Sequence, residues 1–291
     1  MKHPDASSSW RPTVLPCVIL FFLARYPSAS SGGPPSAPPA DAGPRGSLVI
    51  VGGGGMPASI RSAFLERAGG KAARLVVIPT ASEDADGPPA AREEFLEPWR
   101  KAGVEAPTLL HTRSRDAANA PGFSKPIEEA TAVWVSGGDQ SRVTDAYLGT
   151  AVERSLRSLL DRGGVIGGTS AGAAIMSRVM ITGGRRRATV GTGFGFLPGV
   201  VVDQHALRRN RIPRLLGVLA EHPSLSGIAI DERTAFVVDG SRWRVLGDSY
   251  VVACRRRPAW GDLDIGVYHA GDEGVLKDGE AVLTTTTIED D

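Results

Sequence analysis

The feature that most narrows the fold of this 291-residue chain is a succession of short apolar runs, each followed by a stretch with helical spacing. Residues 48–51 (Leu-Val-Ile-Val), 75–78 (Leu-Val-Val-Ile) and 132–135 (Ala-Val-Trp-Val) show no polar alternation, and 108–111 reads as a further strand between them. A strand without alternation is buried on both faces, which occurs where helices cover a parallel sheet on both sides. Helices are expected over residues 57–68, 89–101 and 140–161, the last broken near Gly149. The predicted fold class is therefore α/β: a doubly wound, mostly parallel sheet flanked by helices. Runs at 235–238, 243–246 and 250–253 add antiparallel strands at the carboxyl end.

The fifth strand runs into Gly167-Gly168-Thr169-Ser170-Ala171-Gly172 and leaves as Ala173-Ala174-Ile175-Met176. This is the pattern of a nucleophile elbow, in which small residues permit a sharp turn and the serine hydroxyl stands at the strand's carboxyl end. Ligands of such sheets bind at that edge. Residues 52–55, 80–83, 137–140 and Ser170 all fall there.

A serine nucleophile needs a base and a group to orient that base. His205 closes the strand-like run at 200–205, and Glu232 follows the run at 227–230, so Ser170, His205 and Glu232 would each sit at a strand end. The order used by α/β-hydrolases, Ser170 then Asp231 or Glu232 then His269, fits less well, because no His-Gly-Gly segment precedes the serine. The backbone N–H of Ala171 is the natural first oxyanion donor, and Gly138 in a neighbouring loop is the candidate second. A basic helix is expected over residues 206–219.

Other chemistries are not supported. Pro57 occupies the place of the third glycine of a dinucleotide fingerprint, no Gly-Lys-Ser/Thr follows a strand, and the five histidines make no metal-ligand spacing. No cofactor and no metal are expected. The net charge of +1 gives no reason to expect nucleic acid or a membrane surface as partner.

Residues 1–30 combine Lys2 and Arg11, an apolar stretch at 14–24 and Ser28-Ala29-Ser30, the make-up of a secretory signal peptide. Eleven helical residues span only about 16 Å, short of a bilayer core of about 30 Å, so no membrane anchor is expected after signal removal. Residues 31–46 are rich in Pro, Ser, Gly and Ala and read as a linker, residues 47–283 as one hydrolytic domain, and residues 284–291 as a flexible tail. The expected location is secreted or periplasmic. Removal of the signal leaves Cys254, in a β-rich run, as the only cysteine and a structural thiol.

Taken together, Ile78-Pro79-Thr80-Ala81-Ser82, Gly137-Gly138-Asp139-Gln140, the segment 167–177, Gly195-Phe196-Leu197-Pro198-Gly199-Val200, Asp203-Gln204-His205 and Ile230-Asp231-Glu232-Arg233-Thr234-Ala235 resemble the cyanophycinases. These are serine peptidases with a class I glutamine-amidotransferase-like fold, related to aspartyl and isoaspartyl dipeptidases. The resemblance covers roughly residues 48–252. It implies Ser170 as nucleophile, His205 as base, Glu232 as its partner, and Gly138 and Ala171 as oxyanion donors. It also implies cyanophycin, a poly-aspartate carrying arginine on its β-carboxylates, or a related β-aspartyl peptide as substrate. Arg209, Arg211 and Arg214 match an Arg-x-Arg-x-x-Arg segment of that family and suit substrate carboxylates, with Gln140, Asp203 and Gln204 orienting polar groups. Ala206 stands where that pattern prefers phenylalanine, which bears on pocket shape. Homodimers are common in the family. A dipeptidase of the same family and a non-enzymatic exported ligand-binding protein are the alternatives.

Overall fold

The computed structural model describes residues 44–256, 262–277 and 280–283. The expected signal segment, most of the linker and the tail lie outside the described residues.

The chain begins with β1 (Ser47–Val51), α1 (Ala58–Arg67), β2 (Leu75–Ile78), α2 (Pro89–Glu93), α3 (Glu97–Lys101) and β3 (Thr108–Leu109). Then follow α4 (Arg115–Asn119), α5 (Lys125–Glu129), β4 (Ala132–Val135), α6 (Gln140–Tyr147), α7 (Ala151–Asp161), β5 (Val165–Thr169) and α8 (Ala171–Ala174). The second half contains β6 (Val179–Gly183), β7 (Thr189–Thr192), β8 (Val200–Gln204), α9 (Ile212–Glu221), β9 (Ser226–Ile230), β10 (Thr234–Asp239) and β11 (Arg242–Gly247). It closes with β12 (Tyr250–Arg256), β13 (Leu263–His269), β14 (Glu273–Lys277) and β15 (Glu280–Leu283).

The main sheet has the order β15-β14-β11-β10-β1-β5-β4-β2-β3, and its β1-β5-β4-β2-β3 half is parallel. The expected α/β sheet is thus present, with antiparallel strands β10, β11, β14 and β15 added at one side. Burial of both faces follows directly from the apolar runs. Val49, Val51, Leu75, Val77 and Trp134 pack on α1 and α3, whereas Leu48, Ile50, Val76, Ile78 and Val135 face α6, α7 and α8. Phe64, Trp99 and Trp134 meet at centroid distances of 5.1–5.2 Å in the first layer. Each such pair adds about 0.5–1.5 kcal/mol beyond its burial.

Three expectations are corrected. The run at 89–101 forms two short helices, because Pro98 lacks the N–H that a continuous helix would need. The run at 250–253 does not finish the main sheet; it lies in β12, which with β13, β9 and β8 forms a second, four-stranded sheet. One face of it joins the core under α8, and the other is covered by Leu215, Val218 and Leu219 of α9. Finally, the basic segment after His205 is not helical from Ala206. Residues 206–211 make hydrogen-bonded turns, with Asn210 at φ 50°, and α9 starts only at Ile212, ahead of Pro213. Residues 179–192, for which no element was expected, hold the β6–β7 hairpin around the Gly/Arg-rich stretch 183–187. Cys254 is buried, as expected of a structural thiol, and burial pushes its pKa up to about 11.

Candidate active site

Ser170 occupies the turn between β5 and α8 at φ 52° and ψ −106°, a backbone conformation that side chains other than glycine rarely adopt. Its amide donates to the Val51 carbonyl at 3.0 Å, which pins the turn to the end of β1. The Ser170 hydroxyl lies 2.9 Å from His205 Nε2, and His205 Nδ1 lies 2.7 Å from Glu232 Oε1. Glu232 accepts the Nδ1 proton and so leaves the Nε2 lone pair facing the serine, the tautomer a general base requires. Burial lowers the His205 pKa below its ordinary value, with the nearby Arg209 and Arg211 cations acting in the same direction and the Glu232 hydrogen bond opposing them.

The glycine run after β1 is the bed on which this pair rests. The Gly52 carbonyl accepts the His205 amide at 2.8 Å, and the Gly53 carbonyl accepts the Arg233 amide at 2.7 Å. Gly53 is at φ 102°, and a methyl group there would run into the His205 ring; one on Gly54 would meet the Glu232 side chain at 2.5 Å. The glycines of this run therefore reflect the close passage of the His205 and Glu232 side chains over bare backbone. His205 and Arg233 themselves adopt positive φ, 51° and 59°, where the chain turns out of β8 and β9.

Gly137 and Gly138 border the serine from the end of β4. A β-carbon built on Gly137 would stand 3.5 Å from Ser170 Cβ, and one on Gly138, which is at φ 136°, would stand 2.1 Å from the Ala81 carbonyl oxygen. Ala171 is the first residue of α8, so its N–H has no acceptor within its own helix. Gly138 lines the same cavity as Ser170, and its amide and that of Ala171 are the expected oxyanion donors.

A cavity of about 480 Å³ opens beside Ser170 and is walled by Gly138, Gln140, Thr182, Gln204, Arg209 and Arg211 among others. A larger one of about 670 Å³ lies against residues 71–76 near the start of β2, and none of Ser170, His205 and Glu232 lines it. The predicted binding residues divide into two groups. Gln140 is buried with its Nε2 on the Ile181 carbonyl at 2.6 Å, and Gln204 is buried with its Oε1 unpartnered among the described residues. Arg211 donates to the Gln204 carbonyl at 2.9 Å, and burial together with Arg214 lowers its pKa to about 10. Arg209 keeps an exposed guanidinium, 3.9 Å from Glu232.

Asp203 and Arg214 are the exceptions. They bind each other through two hydrogen bonds of 2.7 and 2.5 Å, and both are almost fully buried. Arg214 also donates to the Gly184 carbonyl. Their role is to tie α9 to β8 and the hairpin, because a buried aspartate and arginine this close satisfy one another before any ligand. Ala206 packs in the core beneath α9 rather than on the cavity wall, so its small size does not reshape the cavity directly. Asp231, weighed above only as an alternative acid, accepts from the amides of Leu207 and Arg208 and from Ser249 Oγ, and thereby holds the turn carrying the arginines. Its neighbour relation to Glu232 was the only sign of this in the sequence. His269 forms no part of the site: it bonds the Ala270 carbonyl and lies near Asp272. Among the described residues, no cluster of three or more metal-ligating side chains occurs, and no helix is long and apolar enough to cross a membrane.

Comparison with known proteins adds to this geometry. The model of peptidase family S51 matches residues 48–246. A cyanophycinase from Nostoc sp. is 35% identical over 198 residues, 65% of this chain and 65% of that protein. One from Geminocystis herdmanii is 34% identical over 219 residues, 71% of this chain and 79% of that protein. The chain thus spans somewhat less than two thirds of the Nostoc protein's length. Among solved structures, a peptidase from an acI-B1 Actinobacterium superposes with a TM-score of 0.64 at 24% identity, over 81% of this chain and 98% of that one. A candidate peptidase E protein from Listeria monocytogenes gives 0.51 at 15% identity, over 70% and 99%. Both share the fold.

Proposed function

On the premise that the chain belongs to peptidase family S51, we propose that it is a serine exopeptidase of the cyanophycinase type, releasing β-Asp-Arg dipeptides from multi-L-arginyl-poly-L-aspartate. The observation that carries this reading is the aligned set Ser170–His205–Glu232 at 2.9 and 2.7 Å beside a cavity with three arginines, one of them paired with Asp203, and an unpartnered amide oxygen.

In this mechanism His205 Nε2 takes the Ser170 proton as Oγ attacks the scissile carbonyl. The negative charge develops between the Gly138 and Ala171 amides, and Glu232 stabilises the imidazolium. His205 then protonates the leaving amine, an acyl-enzyme remains, and water activated by the same imidazole releases it. Arg209 and Arg211 supply cations for substrate carboxylates, and Gln204 Oε1 an acceptor for a guanidinium or amide N–H. Arg214 acts on this surface only through its hold on Asp203 and Gly184. Export directed by residues 1–30 belongs to the same proposal, as does a homodimer.

Incubation of the protein with cyanophycin and, separately, with short β-aspartyl peptides tests the reading. Release of β-Asp-Arg from the polymer is expected, together with its loss in Ser170→Ala at unchanged thermal midpoint. Hydrolysis of short peptides alone would make the chain an isoaspartyl dipeptidase, and turnover retained by Ser170→Ala would overturn the triad.

A further inference from the structure

Behind the oxyanion loop lies a second chain of hydrogen bonds that the serine mechanism does not use. Tyr147 OH accepts from the Thr112 amide at 3.0 Å and lies 2.8 Å from Thr80 Oγ1; Thr80 Oγ1 lies 2.9 Å from His111 Nδ1, and His111 Nε2 lies 3.0 Å from Asp86 Oδ1. Thr80 and Tyr147 are fully buried, whereas Asp86 is exposed. Arg113 grips Asp86 and also donates to the carbonyls of Thr80 and Ser82. Between those two carbonyls is that of Ala81, which accepts the Asp139 amide at 2.9 Å and fills the space against which Gly138 is moulded.

We propose that the Tyr147–Thr80–His111–Asp86 relay is a positioning device for the oxyanion hole, in which His111 serves as acceptor at Nδ1 and donor at Nε2. With the His111 proton on Nε2, every proton has one place: Thr112 N–H to Tyr147, Tyr147 O–H to Thr80, Thr80 O–H to His111 Nδ1, and His111 Nε2–H to Asp86. Loss of the acceptor at His111 would turn the Thr80 proton back on Tyr147, which already accepts from Thr112, and leave the buried phenol without its acceptor. Arg113 and His111 hold the Asp86 carboxyl down to about 2, so Asp86 stays an acceptor throughout. The remaining charges at the turn, Glu83 and Arg142, pair with each other at 2.5 Å, and Arg142 reaches the Ala81 carbonyl. The turn that seats Gly138 thus depends on one imidazole about which the nucleophile has no direct knowledge.

This inference rests on the peptidase reading of Ser170, and its test separates the two. Acylation of Ser170 by a p-nitrophenyl ester and turnover of β-Asp-Arg substrate are measured for the parent, His111→Ala and His111→Gln. The expected result for His111→Ala, which removes both the acceptor and the donor, is a fall of tenfold or more in acylation rate and kcat with KM within about twofold, because oxyanion stabilisation acts in the transition state. His111→Gln, whose amide again offers an acceptor and an N–H donor, should restore most of that loss. A folded His111→Ala with parental acylation, or a His111→Gln as impaired as His111→Ala, would overturn the proposal. Where His111→Ala does not fold, Thr80→Val, which removes the link between His111 and Tyr147, is expected to give the same fall. A chain acylated at Ser170 but inert to all β-aspartyl substrates would refute the substrate reading alone.

Discussion

Ser170 does not act by virtue of its own chemistry, since a free hydroxyl is a poor nucleophile at neutral pH. What distinguishes it is the 2.9 Å bond to an imidazole whose other nitrogen is occupied by Glu232. Replacement of Glu232 by Gln keeps the shape but withdraws the charge that stabilises the imidazolium, so kcat should fall by about 10²–10⁴ with little change in stability. Steady-state kinetics and a thermal melt check this. The pH dependence has a definite sign. His205 must be neutral to accept the proton, and its pKa is depressed by burial, so kcat/KM should be sustained as the pH drops to the ordinary histidine value of 6.5 and decline only below it. A midpoint above 6.5 for the acid limb assigned to His205 would contradict the burial argument.

At the scale of elements, the glycine run after β1 and the strand ends of β8 and β9 form one unit. Their backbones exchange hydrogen bonds at Gly52, Gly53 and Gly52 N to Thr234, and the side chains of His205 and Glu232 lie across the exposed backbone. Gly53→Ala places a β-carbon at φ 102° and against the imidazole. It should cost about 1–2 kcal/mol in stability and, through displacement of the ring, lower kcat/KM by about 10². Chemical denaturation alongside kinetics separates the two effects. Their independence is informative, because an equal destabilisation elsewhere in the core should leave the catalytic constants unchanged.

Across the whole molecule, the proposed catalytic set is divided between two sheets. Ser170 leaves the main sheet from β5, whereas His205 and Glu232 leave the smaller sheet from β8 and β9. Registration between the sheets is carried by the shared core beneath α8, by the backbone hydrogen bonds of Gly52 and Gly53, and by a buried side-chain link, Ser177 Oγ accepting the Val202 amide at 2.7 Å. Ser177→Ala would leave a buried N–H without its partner, at a cost of about 1–3 kcal/mol, and loosen β8 relative to the elbow. The expected outcome is a lower thermal midpoint together with a reduced kcat, whereas a change in stability alone would show that packing suffices to keep the sheets in register.

The parallel core was legible because unbroken apolar runs such as those of β1, β2 and β4 have no stable state except burial on both faces. The elbow was legible because its small residues serve a turn that few others allow. Ser170, His205 and Glu232 could be named as strand-end residues for the same reason. Their distances could not, because hydrogen-bond partners 27 and 35 residues apart are joined by packing rather than by any local rule. Local pattern likewise could not tell that β8 and β9 leave the main sheet, since a buried strand looks the same in either sheet. Nor could it tell Arg211 from Arg214: both are arginines three residues apart that line the cavity, and only the tertiary structure decides which one meets an aspartate in the interior.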